Sequence, residues 1–369
     1  LTYFTEPILE LAAKLAEIVP TGLSRFYFCN DGSEAVEAAL KIARRTQQER
    51  GFGGRYKLIS RHLAYHGVTM GALSVNGLPG IRRGFDPGVP GVSFAPPPYC
   101  YRCQCGLQPQ SCGLQCYEEI ERIVEFEGPQ TIAAIIVEPV MGAATGFAAP
   151  PEGYLANLRQ LCDRTGILLI FDEVSVGFGR TGKWFSCEHY GVYPDIMTMA
   201  KGLTSGYLPL GAVAVKPEIG DLFYGPKAKA DFIHGHSMGG HTASCAAALA
   251  AIAIMEREHL VERAAEMGTY MLGKLRALES HPIVGEVRGC GMGFGIEIVK
   301  DKASKERLPA NLGVTRRIRL RSWDLGLIVR NETDLVVLCP PLVLTKEQAD
   351  KTVAILDQAI GEAENDLSM

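Results

Sequence analysis

Short apolar segments alternate with helical patterns from Arg25 to about Val215, and this alternation limits the fold more than any other feature of the sequence. Such an alternation is typical of βαβ units, whose mostly parallel sheet is covered by helices on both faces. We therefore predict an α/β fold with a mostly parallel seven-stranded sheet between helices. The predicted strands span residues 26–29, 56–60, 92–95, 132–137, 167–172, 196–200 and 211–215.

The pattern changes after Val215. Residues 243–258 are rich in Ala and predict a buried helix, and residues 260–278 predict an amphipathic one. Strands are predicted at 285–299, 327–330 and 335–339, and a capping signature at Thr345 opens a last helix that runs to about residue 362. We therefore expect a large domain of residues 1–280 and a smaller α/β C-terminal domain of residues 281–369.

The charge balance excludes several classes of partner. The chain has 369 residues, with 37 Lys and Arg against 41 Asp and Glu, so its net charge is −4. No overall positive field attracts nucleic acid or an anionic membrane. The most apolar stretch, residues 243–255, is interrupted by Ser244 and Cys245 and is shorter than the roughly 18 residues that suggest a membrane span. We expect a soluble protein that acts on small molecules.

Cysteine usage and the first residues bear on the cellular compartment. The chain has 11 cysteines, an odd number, and is too long to depend on disulfides for its stability. No charged segment or cleavage site follows Leu1, so we expect no signal sequence. The cysteine usage favours a cytoplasmic protein.

The first candidate site lies where a predicted strand leads into Asp31, Gly32 and Ser33 and then directly into a helix. The free N–H groups and the positive dipole end of a helix bind anions, and a glycine allows a phosphate to approach the backbone. An ordinary Asp or Ser N-cap is the alternative interpretation.

Two strand ends carry candidate catalytic groups. Asp172 ends an apolar strand, where a carboxylate needs a partner such as a protonated ring nitrogen, a metal ion, an arginine or a helix cap. Lys201 follows the next predicted strand and precedes a glycine. Lysine amines form Schiff bases with carbonyl compounds when their pKa is lowered, although a lysine here can also simply extend from a strand end into solvent.

Pyridoxal 5′-phosphate (PLP) needs all three of these features. It requires an anion site for its phosphate, a carboxylate for its pyridinium nitrogen and a lysine for its aldehyde. Tyr65 and His66, followed by Gly67, offer an aromatic face for its ring. The order of these features within one α/β unit therefore indicates a PLP site.

The sequence resembles the class III PLP-dependent aminotransferases of fold type I, and within them subgroup II, the ornithine and ω-amino acid:pyruvate type. The resemblance covers about residues 5–360, and its most specific stretch runs from FDEVSVGFGRTG at Phe171 to PDIMTMAKGLTSGYLPLGA at Pro194. It implies that Lys201 holds the cofactor as a Schiff base and moves the substrate proton. It also implies that Asp172 pairs with the pyridine nitrogen.

The same resemblance implies further cofactor contacts. Val174 and Tyr65 are expected on the two faces of the ring, and His66 belongs to the loop that carries Tyr65. Gly32 and Ser33 are expected to hold the phosphate.

Two more residues are assigned by the resemblance alone. Ser237 takes the place of a Thr that reaches the phosphate of the neighbouring subunit, so we expect a homodimer, or a dimer of dimers, with shared active sites. Arg330 takes the place of an Arg that binds the substrate carboxylate, a task that suits a guanidinium. An arginine on the surface of the small domain is the alternative.

The sequence departs from the family pattern in three places. Ala143 stands where ornithine-type members usually carry a Glu that pairs with the Arg, and this favours the ω-amino acid:pyruvate type. Ser175 stands where many relatives have a Gln that contacts the phenolic oxygen of the cofactor. The N-terminal segment that normally precedes the first helix of the large domain is absent from the sequence.

These features together predict a PLP-dependent aminotransferase. We expect it to move an amino group from an amine or ω-amino acid to a keto acid, pyruvate before 2-oxoglutarate. A decarboxylase, aminomutase or racemase shares the same cofactor features and is the alternative, as is a catalytically silent relative.

Five cysteines lie outside this cofactor pattern, in a loop rich in Pro and Gly. Four of them have the Cys-x2-Cys and Cys-x3-Cys spacing of a structural zinc site, whereas free or locally paired thiols are the default interpretation, and our predicted site includes no metal. The five are Cys100, Cys103, Cys105, Cys112 and Cys116.

Overall fold

The computed structural model describes residues 4–226 and 228–367. The chain forms two compact units. The first contains the described residues up to Pro139 together with Pro150–Phe178 and Trp184–Glu258. The second contains Val140–Ala149, Gly179–Lys183 and the described residues from His259 onward.

The first unit is built on a seven-stranded sheet. Its strands are β1 (Arg25–Cys29), β2 (Lys57–Arg61), β3 (Val92–Ala95), β4 (Ile132–Val137), β5 (Leu168–Asp172), β6 (Ile196–Met199) and β7 (Gly211–Val215). They lie in the order β1-β7-β6-β5-β4-β2-β3, and neighbours are parallel except that β7 is antiparallel to both β1 and β6. The predicted mostly parallel sheet is confirmed, and each strand begins and ends within one residue of its predicted limits.

Burial explains why these strands could be found from the sequence. Every residue of β4, β5, β6 and β7 is buried, so these strands are continuous apolar runs and do not alternate polar with apolar residues. Strands covered on both faces have this pattern.

Helices separate these strands along the chain. They are α1 (Glu6–Ile18), α2 (Gly32–Glu49), α3 (Met70–Ser74), α4 (Pro79–Arg82), α5 (Gln115–Glu127), α6 (Tyr154–Thr165), α7 (Pro217–Gly220) and α8 (Thr242–Arg257). Helix α2 buries Val36, Ala39, Leu40 and Ala43 in one core with Ile136 of β4. Among the described helices, none is both long enough and apolar enough to cross a membrane.

The second unit has a four-stranded antiparallel sheet. Its strands are β8 (Val284–Cys290), β9 (Gly293–Ile298), β10 (Arg330–Asn331) and β11 (Leu335–Leu338), in the order β10-β11-β9-β8. Its helices are α9 (Leu260–Leu275), α10 (Val314–Asp324) and α11 (Lys346–Leu367). The predicted smaller α/β unit is thereby confirmed.

Two strand predictions in this unit are corrected. Residues 285–299 form a hairpin and not one strand, because the chain turns at Gly291, which has a φ of +54° that favours glycine. Residues 327–329 precede β10 and are not part of it. The N–H of Leu327 donates to the carbonyl of Ser322 at 2.8 Å to close α10, and Ile328 is 77% exposed.

The predicted start of the last helix is confirmed in atomic detail. The N–H of Thr345 donates to the side chain of Gln348 at 3.0 Å, and the N–H of Gln348 donates to the Thr345 hydroxyl at 3.3 Å. This reciprocal pair is a capping box.

The boundary between the units differs from the predicted residue 280. Helix α9 belongs to the second unit, which resumes at His259. Its side chains Met267, Met271 and Leu275 share one core with Phe294 of β9. A helix that packs on a later sheet carries no local sequence signal of that partner.

Helix α9 offers a test of this packing at Gly268. A Cβ at this position would lie 2.3 Å from the carbonyl oxygen of Gly291 and 2.7 Å from its Cα, so backbone would have to move. We predict that Gly268→Ala lowers the free energy of unfolding by about 1–3 kcal/mol, measured by urea titration.

Gly273 in the same helix provides the matched control. It is exposed, and its added Cβ would meet nothing within 4 Å. Gly273→Ala should therefore raise the free energy of unfolding by about 0.5–1 kcal/mol, through helix propensity alone. Equal effects of the two substitutions would contradict close packing at Gly268.

Candidate active site

A cavity of about 580 Å³ lies in the first unit, at the carboxyl ends of the strands. Loops that follow β1, β2, β5 and β6 form its lining, which is where α/β sheets bind ligands. The predicted site residues that line it are Gly32, Ser33, Tyr65, His66, Asp172, Val174 and Lys201.

Two predicted residues do not line this cavity. Ser237 lines a separate cavity of about 170 Å³ in the same unit, with Thr5 and Ile8. Arg330 belongs to the second unit, where it is exposed and its Nη2 lies 2.6 Å from Oε1 of Glu332.

The beginning of α2 forms one wall of the larger cavity. The Asp31 carboxylate caps the helix by accepting the N–H of Glu34 at 2.9 Å, so the N-cap interpretation holds for this residue. A Cβ on Gly32 would lie 2.7 Å from Cγ1 of Val174. Only a glycine allows the first turn of the helix to come this close to Val174.

Asp172 lies at the end of β5 and is buried, with three hydrogen-bond donors around its carboxylate. Oδ1 accepts the N–H of Val174 at 3.0 Å and the hydroxyl of Thr198 at 3.2 Å. Oδ2 lies 2.8 Å from Nδ1 of His66. These donors compensate the loss of water around a carboxylate at a buried strand end.

His66 therefore contacts Asp172 directly, in addition to lining the cavity. A carboxylate only accepts hydrogen bonds, so Nδ1 of His66 is assigned as the protonated nitrogen of the ring. Its Nε2 is buried and has no hydrogen-bond partner among the described residues. The sequence pattern predicts an aromatic contact here and not this hydrogen bond to Asp172.

Lys201 follows β6 and is exposed to the cavity. Its φ of +44° is in the left-handed region, which is unusual for a residue with a side chain. Its Nζ donates a hydrogen bond to Oγ of Ser175 at 2.5 Å. Asp172 and Thr198 pair across β5 and β6, so Lys201 and Asp172 leave neighbouring strands at the same edge of the sheet.

Glu173 has a different environment from Asp172, although the two are adjacent. Its carboxylate is fully buried and accepts hydrogen bonds from the N–H and hydroxyl of Ser186 and the N–H of Cys187, each at 2.9 Å. Burial raises the pKa of Glu173 to about 7. Glu173 anchors the chain at Ser186 and does not line the cavity.

Four of the five loop cysteines line one small cavity, and Cys105 does not. The four are Cys100, Cys103, Cys112 and Cys116. Burial, reinforced by the neighbouring thiols, raises the pKa of Cys116 to about 12. Within residues 4–226 and 228–367, no group of three or more His, Cys, Asp or Glu side chains is arranged to hold a metal ion.

Asn76 is a site residue that the sequence pattern does not indicate. It is fully buried, its Oδ1 accepts the N–H of His66 at 3.0 Å, and its Nδ2 donates to the carbonyl of Gly67 at 2.6 Å. An asparagine before a glycine in a loop reads as a turn residue. Its contacts hold the segment that carries Tyr65 and His66.

We predict that Asn76→Ala leaves the N–H of His66 and the carbonyl of Gly67 buried without these partners. Each such group costs about 1–3 kcal/mol, so the free energy of unfolding should fall by at least that amount. Urea titration measures the loss, and hydrogen exchange should quicken at His66.

Asn76→Asp separates the two hydrogen bonds. The new side chain keeps an oxygen that accepts the N–H of His66. When ionised, its second oxygen repels the carbonyl of Gly67; when protonated, its hydroxyl can donate to that carbonyl. Its stability deficit should therefore shrink as the pH falls from 7 to 5, because burial favours the protonated form. A deficit independent of pH would contradict the bond to Gly67.

Comparisons with known proteins show the family of this chain. The family model for aminotransferase class-III matches residues 2–360. An uncharacterized aminotransferase of Bacillus subtilis, YhxA, is 43% identical over 355 residues, which are 94% of this chain and 77% of that protein. A putrescine–pyruvate aminotransferase of Pseudomonas aeruginosa is 35% identical, over 96% of this chain and 77% of that protein.

Solved structures give the same result. A thermostable (S)-enantioselective omega-transaminase from Thermomicrobium roseum superposes with a TM-score of 0.92 at 42% identity, over 97% of this chain and 79% of that one. The family match covers nearly the whole described chain, and the relatives are well above 30% identity. The chain therefore belongs to the class-III aminotransferases.

Proposed function

We propose that this aminotransferase depends on PLP and transfers an amino group from an amine or ω-amino acid to pyruvate. Class-III aminotransferases act on small-molecule amines and keto acids and generally depend on PLP. The observation that carries the proposal is the placement of Asp172 and Lys201 on neighbouring strand ends of one cavity, beside the first turn of α2.

The residues of the cavity fit the cofactor. The first turn of α2 offers free N–H groups and the Ser33 hydroxyl to a phosphate, and Gly32 leaves the approach open. Val174 and Tyr65 line the same cavity and suit the two faces of a ring. PLP, when bound, supplies a cationic ring that accepts the electrons released at the substrate carbon.

Asp172 would pair with the protonated ring nitrogen of the cofactor. The N–H of Val174, the Thr198 hydroxyl and Nδ1 of His66 surround its carboxylate and compensate for the water lost on burial. Asp172 would thus support the positive charge on which the chemistry depends.

Lys201 has two tasks in this proposal. Its amine would hold the cofactor through its aldehyde carbon. When free, Nζ would accept the proton from the amine-bearing carbon of the substrate. Its position at the edge of the cavity, with Nζ in contact with Ser175, supports a mobile base that stays close to the reacting carbon.

The proposal includes a homodimer with shared sites. Ser237 lines a cavity without Lys201, and the neighbouring apolar side chains of Ile233 and Met238 are 92% and 54% exposed. These features support a segment that faces a second subunit, whose phosphate site Ser237 would complete.

The choice of pyruvate as acceptor rests on the names of similar proteins and on the residues expected to bind the substrate carboxylate. Relatives include a putrescine–pyruvate aminotransferase and a taurine–pyruvate aminotransferase of Bilophila wadsworthia, although a diaminobutyrate–2-oxoglutarate transaminase of Halomonas elongata is also similar. Ala143 stands where ornithine-type members usually carry a Glu that pairs with this Arg, and the carboxylate that Arg330 contacts here is that of Glu332. Arg330 is proposed to bind the single carboxylate of the keto acid.

Lys201→Ala tests the cofactor assignment. The wild-type protein purified with PLP should show a near-visible absorbance band that borohydride abolishes, and Lys201→Ala should lack that band. Its turnover should fall by about 10³-fold or more, because the proton-transferring amine is lost. A wild-type protein without the band would contradict PLP dependence and favour a silent relative.

The reaction type and acceptor are tested with putrescine as donor. We expect alanine from pyruvate without release of CO₂ or inversion of the donor, and a kcat/KM for pyruvate at least about tenfold above that for 2-oxoglutarate, a difference of about 1.4 kcal/mol. Chromatography of the amino acid product measures both. Preference for 2-oxoglutarate would reverse the acceptor assignment, and CO₂ or racemised donor would indicate the alternative PLP reactions.

A further inference from the structure

The hydroxyl of Ser175 accepts a hydrogen bond from Nζ of Lys201. The two atoms lie 2.5 Å apart, and both residues line the 580 Å³ cavity. Ser175 is three residues beyond Asp172 along the chain, in the turn that follows β5.

The turn that carries Ser175 is fixed on both sides. The N–H of Val174 donates to Oδ1 of Asp172 at 3.0 Å, and the N–H of Gly177 donates to the carbonyl of Glu173 at 2.8 Å. A Cβ on Gly177 would lie 2.8 Å from that same carbonyl oxygen, so the turn is tight. The hydroxyl therefore occupies a defined position, whereas the lysine side chain is long and exposed.

A hydroxyl suits this position in both protonation states of the lysine. A charged ammonium only donates, and the hydroxyl accepts from it. A neutral amine has a lone pair, to which the hydroxyl can donate after rotating. The bond to the charged ammonium is the stronger of the two, so the contact favours the charged form and holds the proton on Nζ to a higher pH than a methyl group in its place would.

We propose that Ser175 is a positioning residue that holds Nζ of Lys201 in the cavity and sets the pH at which this nitrogen releases its proton. The other titratable groups that line the cavity are Asp31, Tyr65, His66 and Asp172. Ser175→Ala leaves each of these four groups chemically unchanged. The importance of this role for catalysis rests on the proposed function, but the contact itself does not.

The first test uses the cofactor-free protein. Lys201 is reductively methylated with formaldehyde and cyanoborohydride over a range of pH, and the modified peptide is quantified by mass spectrometry. In Ser175→Ala the midpoint of the pH profile should move down by about one unit, which raises the rate below the midpoint up to about tenfold. Ser175→Thr keeps the hydroxyl and should restore the wild-type midpoint.

Ser205→Ala is the matched control, since it removes a serine hydroxyl from the turn after Lys201 and leaves Ser175 intact. Its midpoint should equal that of the wild type. An unchanged midpoint in Ser175→Ala, or the same shift in Ser205→Ala, overturns the proposal.

The second test uses the PLP-loaded protein. The near-visible band should titrate at lower pH in Ser175→Ala than in the wild type, and Ser175→Thr should again restore it. A band with the same midpoint in wild type and Ser175→Ala overturns the proposal while PLP dependence stands. Absence of the band from the wild type overturns the proposed function, and the cofactor-free profile then still decides the role of Ser175.

Discussion

The carboxylate of Asp172, at the buried end of β5, is the constraint on which the rest of the site depends. A charge removed from water is tolerated only where donors surround it, and three groups meet this need. The N–H of Val174 comes from the next turn, the hydroxyl of Thr198 from the adjacent strand and Nδ1 of His66 from the loop after β2. One carboxylate therefore fixes the relative positions of three separate segments, and those segments carry the other site residues.

This arrangement also explains where Lys201 lies. Thr198 pairs with Asp172 across β5 and β6, and Lys201 is three residues further along, just beyond the strand end. The same strand thus supports the acid through Thr198 and presents the amine through Lys201. Buried Asn76 holds the backbone of His66, so the hydrogen bond between His66 and Asp172 depends on a residue that does not itself line the cavity.

A structural feature could be predicted from the sequence where the residues that determine it are close together along the chain. Strands β4 to β7 could be placed because burial on both faces makes them nearly continuous apolar runs. Asp172 and Lys201 could be chosen because one ends such a run and the other follows the next. The hairpin turn at Gly291 separates two strands by only two residues, so residues 285–299 read as one continuous strand. Asn76 and the hydroxyl of Ser175 act through partners distant in sequence, which no spacing rule connects.

The adjacent acids Asp172 and Glu173 show how one turn serves both stability and chemistry. Asp172 bonds to the N–H of Val174 on the cavity side, whereas the buried carboxylate of Glu173 bonds to Ser186 and its carbonyl accepts the N–H of Gly177. The turn between these anchors is thereby held at both ends, and it presents Val174 and Ser175 to the cavity. Rigidity there matters because the lysine side chain is long and exposed, and Ser175 can hold Nζ in one place only if its own backbone is fixed.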